Sequence, residues 1–308
     1  MELSYVIEGQ EIIKQFKNFT LHIPQLLIPR GFATALIGEN GAGKTTLLNI
    51  LSGIRLDYKG KLTYFGSYSD KDREENPVVK EKIGYTGPGN YYLPQWRAGQ
   101  VASISSLLFQ GFHEDRFNQW CRDLAIDIGD GKKKISALSD GNRMKLMIAG
   151  IMARDTELLI MDEPASPLDP LMRDKLCEMI RDYLLEDEGK RSVFFSTHNV
   201  ADMENVTDYA IIMAHGQIAE AGFVEDLKEK YLLVKGDAEY IEKARASMYS
   251  MSSNKFGFEG ICKADKLDAL AGCNVSVETP TLSQISVAVM KNYSLLVDAK
   301  RRRGAENG

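Results

Sequence analysis

The sequence predicts an α/β domain on a mainly parallel sheet, interrupted by a helical subdomain and followed by a small α+β module. Three observations carry that prediction. Ala33-Thr-Ala-Leu-Ile37 is a short apolar run that suits a buried strand. It leads through Gly38-Glu-Asn-Gly-Ala-Gly-Lys-Thr-Thr46 into a segment of helical character, Thr46-Leu-Leu-Asn-Ile-Leu51. Strand-like runs at 157–161, 192–196 and 209–213 then alternate with helical ones at 169–184 and 200–206, the order of parallel strands joined by helices. Between these two parts, residues 100–155 carry apolar residues at three- and four-residue spacing.

In chain order, Phe19–Ile23, Leu26–Ile28 and Ala33–Ile37 read as strands, broken by Pro24, Pro29 and Gly31. The helix after the glycine-rich loop is expected to end near Gly53, and Lys61–Phe65 to form another strand. Residues 67–82 are polar and charged and read as a surface loop. Helices are expected over Val101–Gln110, Glu114–Leu124 and Asn142–Ala153. These readings divide the chain into a main domain at 1–234 with its helical subdomain at about 87–155, a small accessory or dimerisation module at 235–298, and a disordered basic tail at 299–308. Removal of the module is expected to leave the main domain folded. The run Lys300-Arg-Arg-Arg303 reads as a solvated terminus.

Composition narrows the class. A net charge of −5 argues against a nucleic-acid or anionic-lipid partner held by overall electrostatics. The four cysteines are scattered without a Cys-x-x-Cys pair, which suits reduced thiols better than zinc or a disulfide framework. The longest apolar run, Leu146–Ala153, is too short to span a bilayer. With Glu2 and Glu8 near the start, no basic-then-apolar signal segment is expected. The expectation is a cytoplasmic protein with no direct membrane insertion, whose membrane role runs through a partner.

The glycine-rich loop carries the first piece of chemistry. Gly38, Gly41 and Gly43 let the backbone turn without side-chain obstruction, so that successive N–H groups point at phosphate oxygens. Lys44 reaches the β- and γ-phosphates, and the Thr45 hydroxyl takes one place on Mg²⁺. The second piece is Leu158-Leu-Ile-Met161, an apolar strand ending in Asp162-Glu163. Asp162 suits the Mg²⁺ shell, and Glu163 suits taking a proton from an attacking water. An acidic strand end is common in isolation. Here Pro164, Leu168-Asp169 and Ser196-Thr-His198 follow in a fixed order.

With these residues in view, the chain resembles the ATP-binding-cassette (ABC) family, the P-loop ATPase subunits of ABC transporters, over residues of about 5–225. Gly38, Glu39, Asn40, Gly41, Ala42, Gly43, Lys44, Thr45 and Thr46 match the Walker A loop. Leu138, Ser139, Asp140, Gly141 and Asn142 match the signature, Leu158–Glu163 Walker B, Ser166 to Asp169 the D-loop, and His198 the switch histidine. The resemblance implies an antiparallel β subdomain beside the parallel sheet. It also implies ATP and Mg²⁺ as cofactors and a head-to-tail pair of ATPase subunits, expected to be a homodimer. In that pair the signature of one subunit meets the γ-phosphate held by the other, and Ser139 and Gly141 open the helix whose N–H groups face it. Asp169 supports the composite site, and His198 contacts the γ-phosphate and orients the water. Adenine stacks on an aromatic residue ahead of Walker A: Phe16, with Phe19 or Tyr5 as alternatives.

Two departures from the family pattern matter. The signature normally reads Leu-Ser-Gly-Gly-Gln, so Asp140 is expected to point away from the nucleotide. The Q-loop glutamine is missing after Ile83-Gly-Tyr85. Thr86-Gly-Pro-Gly-Asn90 stands in its place, and either a water or Gln95 substitutes for the side chain, the water being favoured. Tyr91–Trp96 follows, in the region where such cassettes receive a helix of the transmembrane permease, and Tyr92 and Trp96 are the expected contacts. The function this implies is ATP-driven export of a peptide or drug, as in cassettes of the bacitracin and lantibiotic-immunity type, with the ATPase on the inner face of the membrane. The alternatives are an importer cassette or a soluble ATPase acting on ribosomes or nucleic acid. Against the last, the chain has neither two cassettes nor a coiled-coil interruption.

Overall fold

The computed structural model describes residues 3–88, 92–126, 131–187 and 189–306. Among them, no helix is long and apolar enough to cross a membrane. Strands β1 (Tyr5–Gln15) and β2 (Thr20–Pro29) pair antiparallel from Tyr5↔Pro29 to Gln15↔Thr20. The two short runs expected before Pro29 are thus one strand. Pro24 is tolerated inside it because β2 lies at the edge of its sheet. Fully buried β3 (Ala33–Gly38) leads into α1 (Lys44–Ser52), which Gly53 closes at a φ of +83°. Strands β4 (Lys59–Tyr64) and β5 (Tyr68–Ser69) complete a four-stranded antiparallel sheet of order β2-β1-β4-β5.

The surface loop expected over 67–82 is instead two short helices, α2 (Asp70–Glu75) and α3 (Pro77–Glu81). Ser69 and Asp72 form a reciprocal capping box, and Asn76 caps α3 with Pro77 in its first turn. Local side-chain bonds, not an apolar stripe, start both helices. Arg73 turns inward, donating from Nη1 to the Ile50 carbonyl at 2.8 Å and so satisfying one of the last carbonyls of α1.

Strand β6 (Ile83–Thr86) precedes the helical subdomain of α4 (Gln100–Leu108), α5 (Glu114–Asp123) and α6 (Asp140–Met152). Then come β7 (Leu158–Asp162), α7 (Pro170–Leu185), β8 (Ser192–Thr197), β9 (Tyr209–Ala214) and β10 (Gln217–Phe223). The helix expected at 200–206 is two single 3₁₀ turns. The second sheet has the order β10-β9-β3-β8-β7-β6, parallel except for edge strand β10. Side chains alternate across it. Leu36, Ile160 and Phe194 face α1 and the antiparallel sheet, while Ala35, Ile37, Met161 and Phe195 face the opposite side, where α6 packs on β6 and α7 on β8. Adjacency of β3, β8 and β7 brings Gly38, Thr197 and Asp162 to one edge.

After α8 (Val224–Lys230), β11 (Tyr231–Asp237), α9 (Ile241–Arg245), β12 (Met248–Ser253), β13 (Gly257–Lys263) and β14 (Val275–Glu278) form an antiparallel sheet of order β12-β13-β11-β14. The boundary expected at 234–235 falls inside β11, where Val234 pairs with both Gly260 and Val277. The last helix, α10 (Leu282–Glu306), differs further from expectation. It runs through most of the stretch read as a disordered tail at 299–308. Thr281 and Gln284 cap its start reciprocally, and Glu204 accepts the Leu282 N–H at 2.9 Å. Leu282, Ile285, Ala288 and Val289 are buried in the same cluster as Ala35, Ile37, Ala210 and Ile212.

α10 is therefore part of the main core. A chain cut at 234 is expected to be insoluble rather than folded, because those sheet residues are left bare. Soluble expression and size-exclusion chromatography check this, and a soluble monomer with a sharp melting transition would count against it.

Candidate active site

The phosphate loop owes its shape to two glycines. Gly41 and Gly43 hold φ values of +84° and +104°, in the left-handed region. A Cβ on Gly43 would lie 2.9 Å from Phe19 Cζ and 3.1 Å from Leu21 Cδ1, so the loop backbone rests directly on β2 and the turn before it. Lys44 is nearly buried. Its Nζ donates to the Gly38 carbonyl at 2.6 Å and the Glu39 carbonyl at 3.3 Å, and lies 3.5 Å from Glu163 Oε1. Thr45 and Thr46 follow in the first turn of α1.

Asp162 ends β7 with no solvent exposure. The Ser196 hydroxyl donates to its Oδ1 at 2.5 Å, while Oδ2 has no hydrogen-bond partner among the described residues. Glu163 leaves the strand at a φ of +51°, a conformation that costs a non-glycine residue about 1–3 kcal/mol. Its N–H donates to Ser196 Oγ at 2.9 Å. Its carboxylate pairs through Oε2 with His198 Nδ1 at 2.7 Å. His198 is held in turn by a tight turn in which Thr197 Oγ1 and the Asn199 backbone bond each other. The strand ends thus bring Lys44, Asp162, Glu163 and His198 together.

Two clefts meet at this point. One, of about 470 Å³, lies over the phosphate loop between Phe16 and Glu163. The other, of about 550 Å³, is lined by Asp162, Glu163, His198, Ser166, Pro167 and Asp140 among others, with Gly87 and Pro88 at the Q-loop position. Asn40 and Glu163 line both. Phe16 is 40% exposed at the first cleft, with Lys14 Nζ and Arg55 Cζ 5.3 and 5.4 Å from its ring centre. Phe19 packs beneath Gly43, and Tyr5 lies at the opposite end of β1, about 30 Å along the strand.

The signature and D-loop residues have structural partners as well. Leu138 is buried, and Ser139 Oγ caps α6 by accepting the Asn142 N–H at 3.2 Å. Asp140 forms an ion pair with Arg143, one turn along. A Cβ on Gly141 would come within 2.9 Å of the Pro167 carbonyl, so the start of α6 packs on the D-loop backbone. The Ser166 N–H bonds the Glu163 carbonyl at 3.2 Å, and Asp169 Oδ1 caps α7 through the Met172 N–H at 3.1 Å.

Of the two expected permease contacts, Tyr92 needs correction. Tyr92 is buried, with its hydroxyl where a Cβ on Gly150 would stand, so it packs against α6 instead of offering a surface. Trp96 is half-buried against the same core, 6.5 Å from the Tyr92 ring. Gln95 is exposed and does not line the cleft, and Asn90 and Tyr91 lie outside the described residues. Sequence reading also missed the part played by Ser196, which only the pairing of β7 with β8 places opposite Asp162.

Comparison with known proteins follows the geometry. The ABC transporter family model matches residues 21–166. The energy-coupling factor transporter ATP-binding protein EcfA2 of Enterococcus faecalis is 27% identical over 76% of this chain and 85% of its own length. The tungstate uptake system ATP-binding protein TupC of Peptoclostridium acidaminophilum is 28% identical over 65% of this chain and 90% of its own length. Among solved structures, the ATP-binding cassette MJ0796, dimeric in a post-hydrolysis state with ADP and Pi, aligns with a TM-score of 0.61 at 19% identity. It covers 70% of this chain and 98% of that one.

Proposed function

From the premise that this chain is an ATP-hydrolysing ABC cassette, we propose that two copies work as a motor on the inner face of a membrane, driving a transmembrane permease. The observation that carries the proposal is Glu163. It stands where the two clefts meet, within 3.5 Å of Lys44 and 2.7 Å of His198. A carboxylate so placed can take the proton of a water aimed at the terminal phosphate, while His198 fixes its rotamer and reaches toward the same phosphate. Lys44, held by loop carbonyls, exchanges them for phosphate oxygens. Phe16 offers its exposed face to the base.

The residues fit a divalent cation. Asp162 Oδ2 is a buried carboxylate oxygen without a partner among the described residues, and the Thr45 hydroxyl in the first turn of α1 would be the second ligand. A Mg²⁺ ion held there would supply neutralisation of charge on the β- and γ-phosphates. Ser139, Gly141 and the first turn of α6 take the phosphate of the facing subunit, and the pairing of Asp140 with Arg143 draws that carboxylate aside. With Tyr92 buried, the surface offered to the permease is Trp96 with exposed Leu93.

The direction of transport rests on other grounds. The departed signature and the small C-terminal module support export of a peptide or drug. The tungstate uptake relative supports import. Both are tested in one preparation, the cassette copurified with whatever membrane protein it pulls down. ATP-driven accumulation inside inverted vesicles is the expected result and indicates export, whereas ATP-driven loss from them indicates import. Copurification with ribosomes and no membrane protein would overturn the transporter reading.

A further inference from the structure

We infer that Ser196 is the positioning residue for hydrolysis, its one hydroxyl setting Asp162 and Glu163 at the same time. The inference deepens the ATPase reading and rests on it. A serine hydroxyl has one proton to donate and two lone pairs. Here the proton goes to Asp162 Oδ1 at 2.5 Å, and one lone pair receives the Glu163 N–H at 2.9 Å. With the N–H in place, the hydroxyl cannot rotate its proton elsewhere without losing a bond, and no solvent-exposed surface of Ser196 is there to replace it, since Ser196 and Asp162 are both fully buried.

Each bond has a consequence for function. Engaging Oδ1 leaves Oδ2 as the free oxygen of Asp162, which fixes which atom a divalent cation meets. Holding the Glu163 N–H replaces the ladder bond that ends where β7 ends. It stabilises the φ of +51° that turns the carboxylate toward His198 and Lys44 instead of along the strand. A backbone free to relax would carry the base away from both. Ser196, fully buried, acts through its two neighbours.

The register places it there. Ser196 on β8 stands opposite Asp162 on β7 and Leu36 on β3, in the middle of the sheet. Alanine at 196 would leave a buried carboxylate with both oxygens unpaired and a buried N–H without an acceptor.

The test compares wild type, Ser196→Ala and Ser196→Thr. Its readouts are steady-state ATPase, Mn²⁺ affinity in the presence of ATP by electron paramagnetic resonance, and the melting midpoint. Wild type must hydrolyse ATP; failure there sinks the ATPase reading itself and is told apart from failure of this inference. Alanine is expected to lower kcat by about 10- to 100-fold and weaken Mn²⁺ binding by about 10-fold, with KM for ATP changed less than about threefold. Threonine, which keeps the hydroxyl, restores both. Alanine with kcat and Mn²⁺ affinity unchanged overturns the inference, as does loss of both in alanine and threonine alike. Should the alanine variant fail to fold, Ser196→Cys, a weaker donor in the same place, takes its role with the same outcomes.

Discussion

Glu163→Gln is expected to lower ATP turnover by about 100- to 10,000-fold while ATP binding is kept or strengthened. The amide has nearly the shape of the carboxylate, so the turn at a φ of +51° and the Glu163 N–H bond to Ser196 remain. It cannot accept a proton from water. Binding is spared because the phosphates are held by loop N–H groups and Lys44, and loss of a negative charge 3.5 Å from Lys44 removes a competitor for its ammonium. A cassette pair that closes on ATP and cannot hydrolyse it should stay closed. Size-exclusion chromatography of the variant with ATP should then show a dimer that wild type forms only briefly. Near wild-type hydrolysis in Glu163→Gln would remove the assignment of Glu163 as the base.

Lys44→Ala should act one step earlier. Its Nζ is the cationic side chain built into the loop, and a charge-assisted hydrogen bond contributes about 1.5–3 kcal/mol. Its loss therefore weakens ATP binding by about 10- to 100-fold. The variant also strands Glu163 in a pocket without its nearest cation, which adds charge repulsion against the incoming phosphates. Equilibrium titration with a fluorescent ATP analogue separates the two variants: turnover falls in both, but affinity falls only for Lys44→Ala. Unchanged affinity in that variant would show that the loop N–H groups suffice.

The parts of this site that sequence makes legible are those whose chemistry is local. Gly41, Gly43 and Lys44 act within one loop, and Asp162 and Glu163 are neighbours at a strand end, so their types and order announce them. Ser196 acts across two strands, and only register places its hydroxyl between two acids 34 and 33 residues away. Tyr92 shows the same limit in reverse. An aromatic cluster beside a docking region suggests an exposed surface, yet the space above Gly150 takes its ring into the core.

For the fold, apolar periodicity finds the long buried elements and misses those started by polar side chains. The capping pairs Ser69 with Asp72 and Thr281 with Gln284 are written in the sequence. Neither helix α2 nor α3 presents an apolar stripe, so periodicity reads them as loop. In α10 the stripe Leu282, Ile285, Val289 is present but short, and the basic residues beyond it favour the reading of a tail.

The place of α10 also has a consequence for how the protein is made. β3 and α10 lie about 250 residues apart, and a ribosome adds about 5–20 residues per second. The part of one face that includes β3 is thus without its cover for on the order of 10–50 s after β3 emerges. During that interval the nascent chain presents apolar strand surface of the kind that chaperones bind, and a message truncated before codon 282 is expected to yield a chain that stays in that condition. The core around β3 closes only when a helix about 250 residues further along the chain arrives.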